Sequence, residues 1–106
     1  MASRVSLQML LEHYDFDVTV AGTIGEAVEK LNSEPDYVLL DLILPDGDGT
    51  KVLQRIRSSN LSTRVAVMTA SNDAERLERA KKLKPDMHFQ KPLNFIELLA
   101  GLKQCA

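Results

Sequence analysis

The chain has little sulfur, few aromatic side chains and no long apolar run. It carries one cysteine in 106 residues, Cys105. No intrachain disulfide can form, so a disulfide scaffold is excluded and a reducing compartment fits. Tryptophan is absent and aromatics make up 5% of the residues. With no glycine-rich phosphate loop either, a small flavodoxin-like cofactor binder is disfavoured. No stretch approaches the roughly 18 apolar residues needed to cross a bilayer, and no signal peptide precedes the first helical pattern. No membrane role is expected, and the cytoplasm is the expected location. An excess of one charge is also lacking, since 13 Lys and Arg against 15 Asp and Glu leave a net charge of −2. Nucleic-acid affinity draws on clustered Lys and Arg facing phosphates, so direct nucleic-acid binding is not expected. Repeats, low-complexity tracts and linkers are missing too, which implies one domain over residues 1–106 with one hydrophobic core. Met1-Ala2-Ser3 fits an initiator plus a cloning remnant as well as it fits natural sequence.

What the chain does have is an alternation of two periodicities. Leu7, Leu10, Leu11 and Tyr14 follow helical spacing, and Phe16 to Val20 reads as a short strand. Thr23 with Glu26 makes a capping box ahead of the apolar stripe Ile24, Ala27, Val28 and Leu31. Tyr37 to Leu40 is an uninterrupted apolar run, as expected of a parallel strand covered on both faces. Residues 49–58 form a helix with Val52, Leu53 and Ile56 inward and Arg55 and Arg57 outward. Arg64 to Met68 is the next strand, and Asn72 with Glu75 caps a helix that ends near Leu83, before Lys84-Pro85. Met87 to Gln90 is the last strand and Lys91-Pro92 its turn. Asn94 with Glu97 then caps a terminal helix carrying Phe95, Leu98, Leu99 and Leu102 on one face. The order αβαβαβαβα implies an α/β domain whose mostly parallel sheet is covered on both faces through right-handed crossovers.

Three polar residues fall at or just past the carboxyl ends of three successive expected strands: Asp41, Thr69 and Lys91. Those ends lie along one edge of a parallel sheet, which is where open α/β folds place their chemistry. Taken singly, an Asp after a strand is a turn former or helix cap, a strand-end Thr satisfies backbone, and a Lys is a solvated charge. Taken together they form a complementary set for a phosphoryl group: an oxygen nucleophile, a hydroxyl donor and a cation for the transferred oxygens.

In order and spacing, Tyr37-Val38-Leu39-Leu40-Asp41, Leu44-Pro45-Asp46-Gly47-Asp48-Gly49, Val67-Met68-Thr69-Ala70 and Lys91-Pro92 resemble the receiver domain of two-component response regulators. The resemblance runs from about Ser3 to Leu102. It implies a flavodoxin-like, doubly wound parallel sheet, with Asp41 as phosphoacceptor, Thr69 as switch hydroxyl and Lys91 as ion-pair partner. It further implies a magnesium ion held by Asp41 and the backbone carbonyl of Ile43, and a cis bond before Pro92. The switch aromatic of the family falls on His88, an imidazole in place of a phenyl ring. A histidine kinase or phosphotransfer protein would supply the phosphoryl group, and the domain would be no enzyme beyond self-phosphorylation and self-dephosphorylation at Asp41.

One piece of that pattern is absent. Family members open with an apolar strand ending in an acidic pair that holds the magnesium ion, and nothing ahead of Val5 is long or apolar enough to be that strand. Four strands and five helices are therefore expected, with weak magnesium affinity and impaired phosphorylation. Asp46 and Asp48 read as turn formers ahead of substitute ligands. The missing strand is central in the family order, so its neighbours would face each other about 10 Å apart. Such a slot would close by pairing Phe16 to Val20 with Tyr37 to Leu40, or be covered by a second chain. Apolar edges favour association, which predicts a homodimer or domain-swapped assembly. The competing reading keeps the fold and discards the chemistry: a phosphorylation-independent dimerisation or scaffolding module.

Overall fold

Apolar stripes and caps form helices close to where the sequence places them. The computed structural model describes residues 4–69, 74–91 and 93–104. Helix α1 (Arg4–His13) turns Leu7 and Leu11 toward the core. Thr23, in extended backbone at φ −137° and ψ 165°, starts α2 (Ile24–Lys30), its Oγ1 accepting the Glu26 N–H at 3.1 Å. This is the N-cap half of the expected box, and it satisfies one of the orphan donors of the first turn. A 3-10 turn, Leu31–Ser33, follows. Helix α3 (Thr50–Ser58) buries Val52, Leu53 and Ile56 completely, each burial worth roughly 1.5–3 kcal/mol. Helix α4 (Ala74–Lys81) buries Ala80. The expected cap at Asn72 lies outside the described residues. Helix α5 (Phe95–Gln104) starts where Asn94 Oδ1 accepts the Glu97 N–H at 3.1 Å, and it buries Leu98 and Leu102.

The strands are β1 (Tyr37–Asp41), β2 (Ile43–Leu44), β3 (Gly47–Asp48), β4 (Arg64–Thr69) and β5 (Met87–Gln90). Three of them form a parallel sheet in the order β1-β4-β5, with Asp41 beside Met68, Val67 beside His88 and Thr69 beside Gln90. Successive side chains point to opposite faces. Val38, Leu40, Val65 and Val67 meet residues of α2, α3 and α4 on one face, while Tyr37, Leu39, Met87 and Phe89 meet Leu11, Leu98 and Leu102 on the other. The Tyr37 hydroxyl donates to the Leu102 carbonyl at 2.9 Å, fixing α5 over the sheet. The expected α/β layering thus holds, with helices on both faces of a parallel sheet and five α-helices among the described residues. No helix among the described residues is long and apolar enough to cross a membrane.

Two local expectations need correction. Phe16 to Val20 is not a strand, and among the described residues β1 pairs on one side only, with β4. An extended segment becomes a strand only through a partner ladder. Here Phe16 and Val18 are held by side-chain packing against the α1/α5 cluster, with the Phe16 ring edge-on to Tyr37 at 6.5 Å. Direct closure of the slot by pairing 16–20 with 37–40 is therefore not the arrangement adopted. Strand β2 instead pairs antiparallel with β3 in a small hairpin beyond Asp41. Arg57, expected to point outward, is half-buried and donates to the Leu83 and Lys84 carbonyls at 3.0 and 2.7 Å. Its guanidinium satisfies carbonyls in the turn just past the end of α4, which helical periodicity within α3 does not reveal.

Candidate functional site

The site is built on the carboxyl edge of the parallel sheet. Asp41 is the last residue of β1, in register with Met68. Thr69, one residue beyond Met68, ends β4. The Lys91 N–H donates to the Thr69 carbonyl at 2.8 Å, so Lys91 begins where β5 leaves the ladder. The three ends form a staircase across adjacent strands, about 5 Å per step.

Side-chain contacts divide this set into two pairs. Lys91 Nζ donates to Asp41 Oδ2 at 2.6 Å, an ion pair across 50 residues of sequence. The other carboxylate oxygen, Oδ1, accepts the Ile43 N–H at 2.9 Å. The pair is open to solvent, with about a third of each side chain exposed (33% for Asp41, 38% for Lys91). Thr69 is 3% exposed, and its Oγ1 lies 2.8 Å from His88 Nε2. Among the described residues no hydrogen bond joins Thr69 to Asp41. Pro92, expected to follow a cis bond, lies outside the described residues.

The loop after Asp41 is shaped by glycine. A Cβ on Gly49 would sit 2.4 Å from the Asp41 carbonyl oxygen and 2.8 Å from Leu42 Cα. Only glycine lets the start of α3 approach the strand end so closely. Gly47, at φ +144°, occupies backbone that L side chains rarely adopt and turns the hairpin.

Asp46 and Asp48 are both occupied away from Asp41. Asp46 accepts the N–H groups of Ile24 at 2.9 Å and Gly25 at 3.4 Å, capping α2 from a distant loop. The Ile24 bond is the main influence holding its carboxyl below the ordinary value of 3.8. Asp48 accepts the Thr50 N–H on Oδ1 at 3.0 Å and the Arg79 guanidinium on Oδ2 at 2.5 and 3.0 Å. Burial pushes the Asp48 carboxyl up, but the bonds from Thr50 and Arg79 outweigh it and the net shift is downward. Asp46 thus caps a helix across space, a more specific role than the turn formation read from sequence, whereas Asp48 makes the local two-residue turn expected of it and also holds Arg79. Arg79, an ordinary helix arginine by sequence, carries no signal of its part in the loop.

Magnesium was the cofactor expected here by resemblance. The Asp41 carboxylate is engaged by the Ile43 N–H and by Lys91, and no group of three His, Cys, Asp or Glu side chains among the described residues is placed to hold a metal. Mg2+ demands six near-octahedral oxygens and dehydrates reluctantly. A single carboxylate would leave most of those six positions to water.

The chain matches the family model described as response regulator receiver domain over residues 2–103. It is 34% identical to sporulation initiation phosphotransferase F of Bacillus subtilis, covering 95% of this chain and 82% of that protein. It is also 34% identical to the transcriptional regulatory protein TrcR of Mycobacterium tuberculosis, over 92% of this chain but 38% of that longer protein. Among solved structures, the CheY-like receiver domain protein from Methanospirillum hungatei superposes with a TM-score of 0.86 at 27% identity, covering 94% of this chain and 81% of that one.

Proposed function

The chain belongs to the receiver domains of two-component response regulators, and from that membership we propose that Asp41 accepts a phosphoryl group from a histidine kinase or phosphotransfer protein. The observation that carries the proposal is the 2.6 Å contact between Lys91 Nζ and Asp41 Oδ2. It joins a nucleophile to its counter-ion at a sheet edge open to a docking protein.

The residues act as follows in this reading. The Ile43 N–H holds Oδ1 and orients the carboxylate. A carboxylate oxygen attacks the phosphorus in line, the phosphorus–nitrogen bond of the donor phosphohistidine breaks, and the imidazole leaves with its electron pair and takes up a proton. An acyl phosphate remains on Asp41. Lys91 transfers its ion pair from the carboxylate to a phosphoryl oxygen, so the new charge is neutralised as it arrives. Thr69 donates its hydroxyl to a second phosphoryl oxygen, and the switch passes through His88. Water later attacks the phosphorus and returns inorganic phosphate and the free carboxylate. The site works in the cytoplasm and without direct nucleic-acid contact in this reading.

Incubation with acetyl phosphate in magnesium buffer should add one acid-stable, base-labile phosphoryl group by intact mass, and Asp41→Asn should abolish it. Label retained on Asp41→Asn would refute the assignment.

A second reading, a phosphorylation-independent dimerisation or scaffolding module, is favoured by the edge of β1 that has no partner strand among the described residues. Unpaired donors and acceptors on an apolar strand favour pairing with another chain. Both readings share a homodimeric or domain-swapped assembly. Light scattering at micromolar concentration should return a dimer mass, and a monomer mass would count against the assembly.

A further inference from the structure

Thr69 and His88 are diagonal neighbours on one face of the sheet, because Val67 stands beside His88 and Thr69 beside Gln90. The hydroxyl is buried, whereas His88 is an exposed residue on a strand that pairs on one side only among the described residues. A threonine hydroxyl has one hydrogen to give, and a phosphoryl oxygen can only accept. The 2.8 Å contact with Nε2 therefore has two chemically distinct forms. If the hydroxyl donates to Nε2, its only hydrogen is committed and none is left for a phosphoryl group. If Nε2–H donates to the hydroxyl oxygen, the hydrogen stays free.

We infer that His88 is a positioning residue that competes with the phosphoryl group for the single hydrogen of Thr69. The inference rests on the proposed phosphoacceptor role of Asp41 and adds a resting latch to it. In the resting protein the hydroxyl donates to Nε2. Phosphoryl capture breaks that bond, or is accompanied by a change of tautomer in which Nδ1 gives its hydrogen to water and Nε2 takes one from water. The exposed ring is free to exchange its hydrogen with water or to swing outward, while buried Thr69 has no such freedom. The latch thus sets how much of the site's affinity for a phosphoryl group is spent on releasing Thr69.

The test is a double-substitution cycle read by the dissociation constant of beryllofluoride, titrated in magnesium buffer and followed by backbone amide shifts at residues 41 and 69. His88→Phe removes the acceptor and should tighten binding by about two- to tenfold, the range of one net hydrogen bond. His88→Gln restores an acceptor and should return the affinity toward wild type. In a Thr69→Val background, which has no hydroxyl, His88→Phe should change nothing. Unchanged or weaker binding in His88→Phe, or an equal gain in the Thr69→Val background, would overturn the latch while leaving the phosphoacceptor reading intact. Absence of binding in all five proteins, wild type included, would overturn both. Binding that appears only once the acceptor at position 88 is removed would support the latch in its strongest form.

Discussion

Asp41 and Asp48 share one loop and each faces a cation at hydrogen-bond distance, yet they are held in different ways. Asp41 is paired with Lys91, a point charge on a flexible stem just past the end of β5. Asp48 receives two donors of the Arg79 fork from α4 and also caps Thr50 at the start of α3. Arginine's planar fork is pre-organised and lysine's ammonium is free to follow a moving charge. The first arrangement can be traded for a phosphoryl group without rebuilding the backbone. The second fastens three elements together. Identical side chains in one loop thus divide into an exchangeable carboxylate and a fixed one.

The sharpest way to break this contrast is to neutralise each acid in turn. Asp41→Asn should lose all acetyl phosphate labelling, whereas Asp48→Asn should keep it and lose stability instead. Equal loss of label in both would erase the distinction. Next in size is Gly49→Ala, whose Cβ would press on the Asp41 carbonyl and Leu42. Backbone lies on the far side of that contact, so the cost should be on the order of 1–3 kcal/mol in urea unfolding, together with slower labelling. Wild-type stability in this variant would mean that the approach of α3 to β1 is looser than described. Smaller again is Asp48→Ala, expected to cost about 0.5–2 kcal/mol as a lost helix cap. Arg79→Met should cost less than that, because its side chain is 46% exposed and surface ion pairs contribute little.

The smallest effect is one of pH. The Asp48 carboxyl is held below its ordinary value of 3.8, so it contributes stability that is fully present above that value. The contribution is lost as pH falls through the lower folded value. The difference in melting temperature between wild type and Asp48→Asn should accordingly be constant near neutrality and shrink in acid below 3.8. A difference that persists unchanged at the acid end would show that Asn loses packing and not charge.

Much of the scaffold was legible in local pattern. The apolar runs at 37–40, 64–68 and 87–90 are strands, each assigned within a residue of its observed end. Thr23 and Asn94 cap the helices that follow them. The contact between Asp41 and Lys91 followed from topology, since parallel strand ends share one edge. Other features gave no local sign. Asp46 caps α2 from 22 residues away, Arg57 serves carbonyls 26 and 27 residues on, and Arg79 reaches Asp48 across 31. Phe16 to Val20 carries a strand pattern and is no strand, because propensity does not supply a partner.

Composition and periodicity alone determined the class of fold, the places of its helices and of the three parallel strands, and the edge where its polar residues gather. Burial of apolar stripes at periods of two and 3.6 residues leaves few other ways to fold this chain. Tertiary structure decided which acid meets which cation and which hydroxyl meets which ring. Those choices depend on distances between strands and loops far apart in sequence, where no local preference reaches. Thr69 is the clearest case: its residue type announces a hydroxyl at a strand end, and only the register of β4 against β5 delivers that hydroxyl to His88.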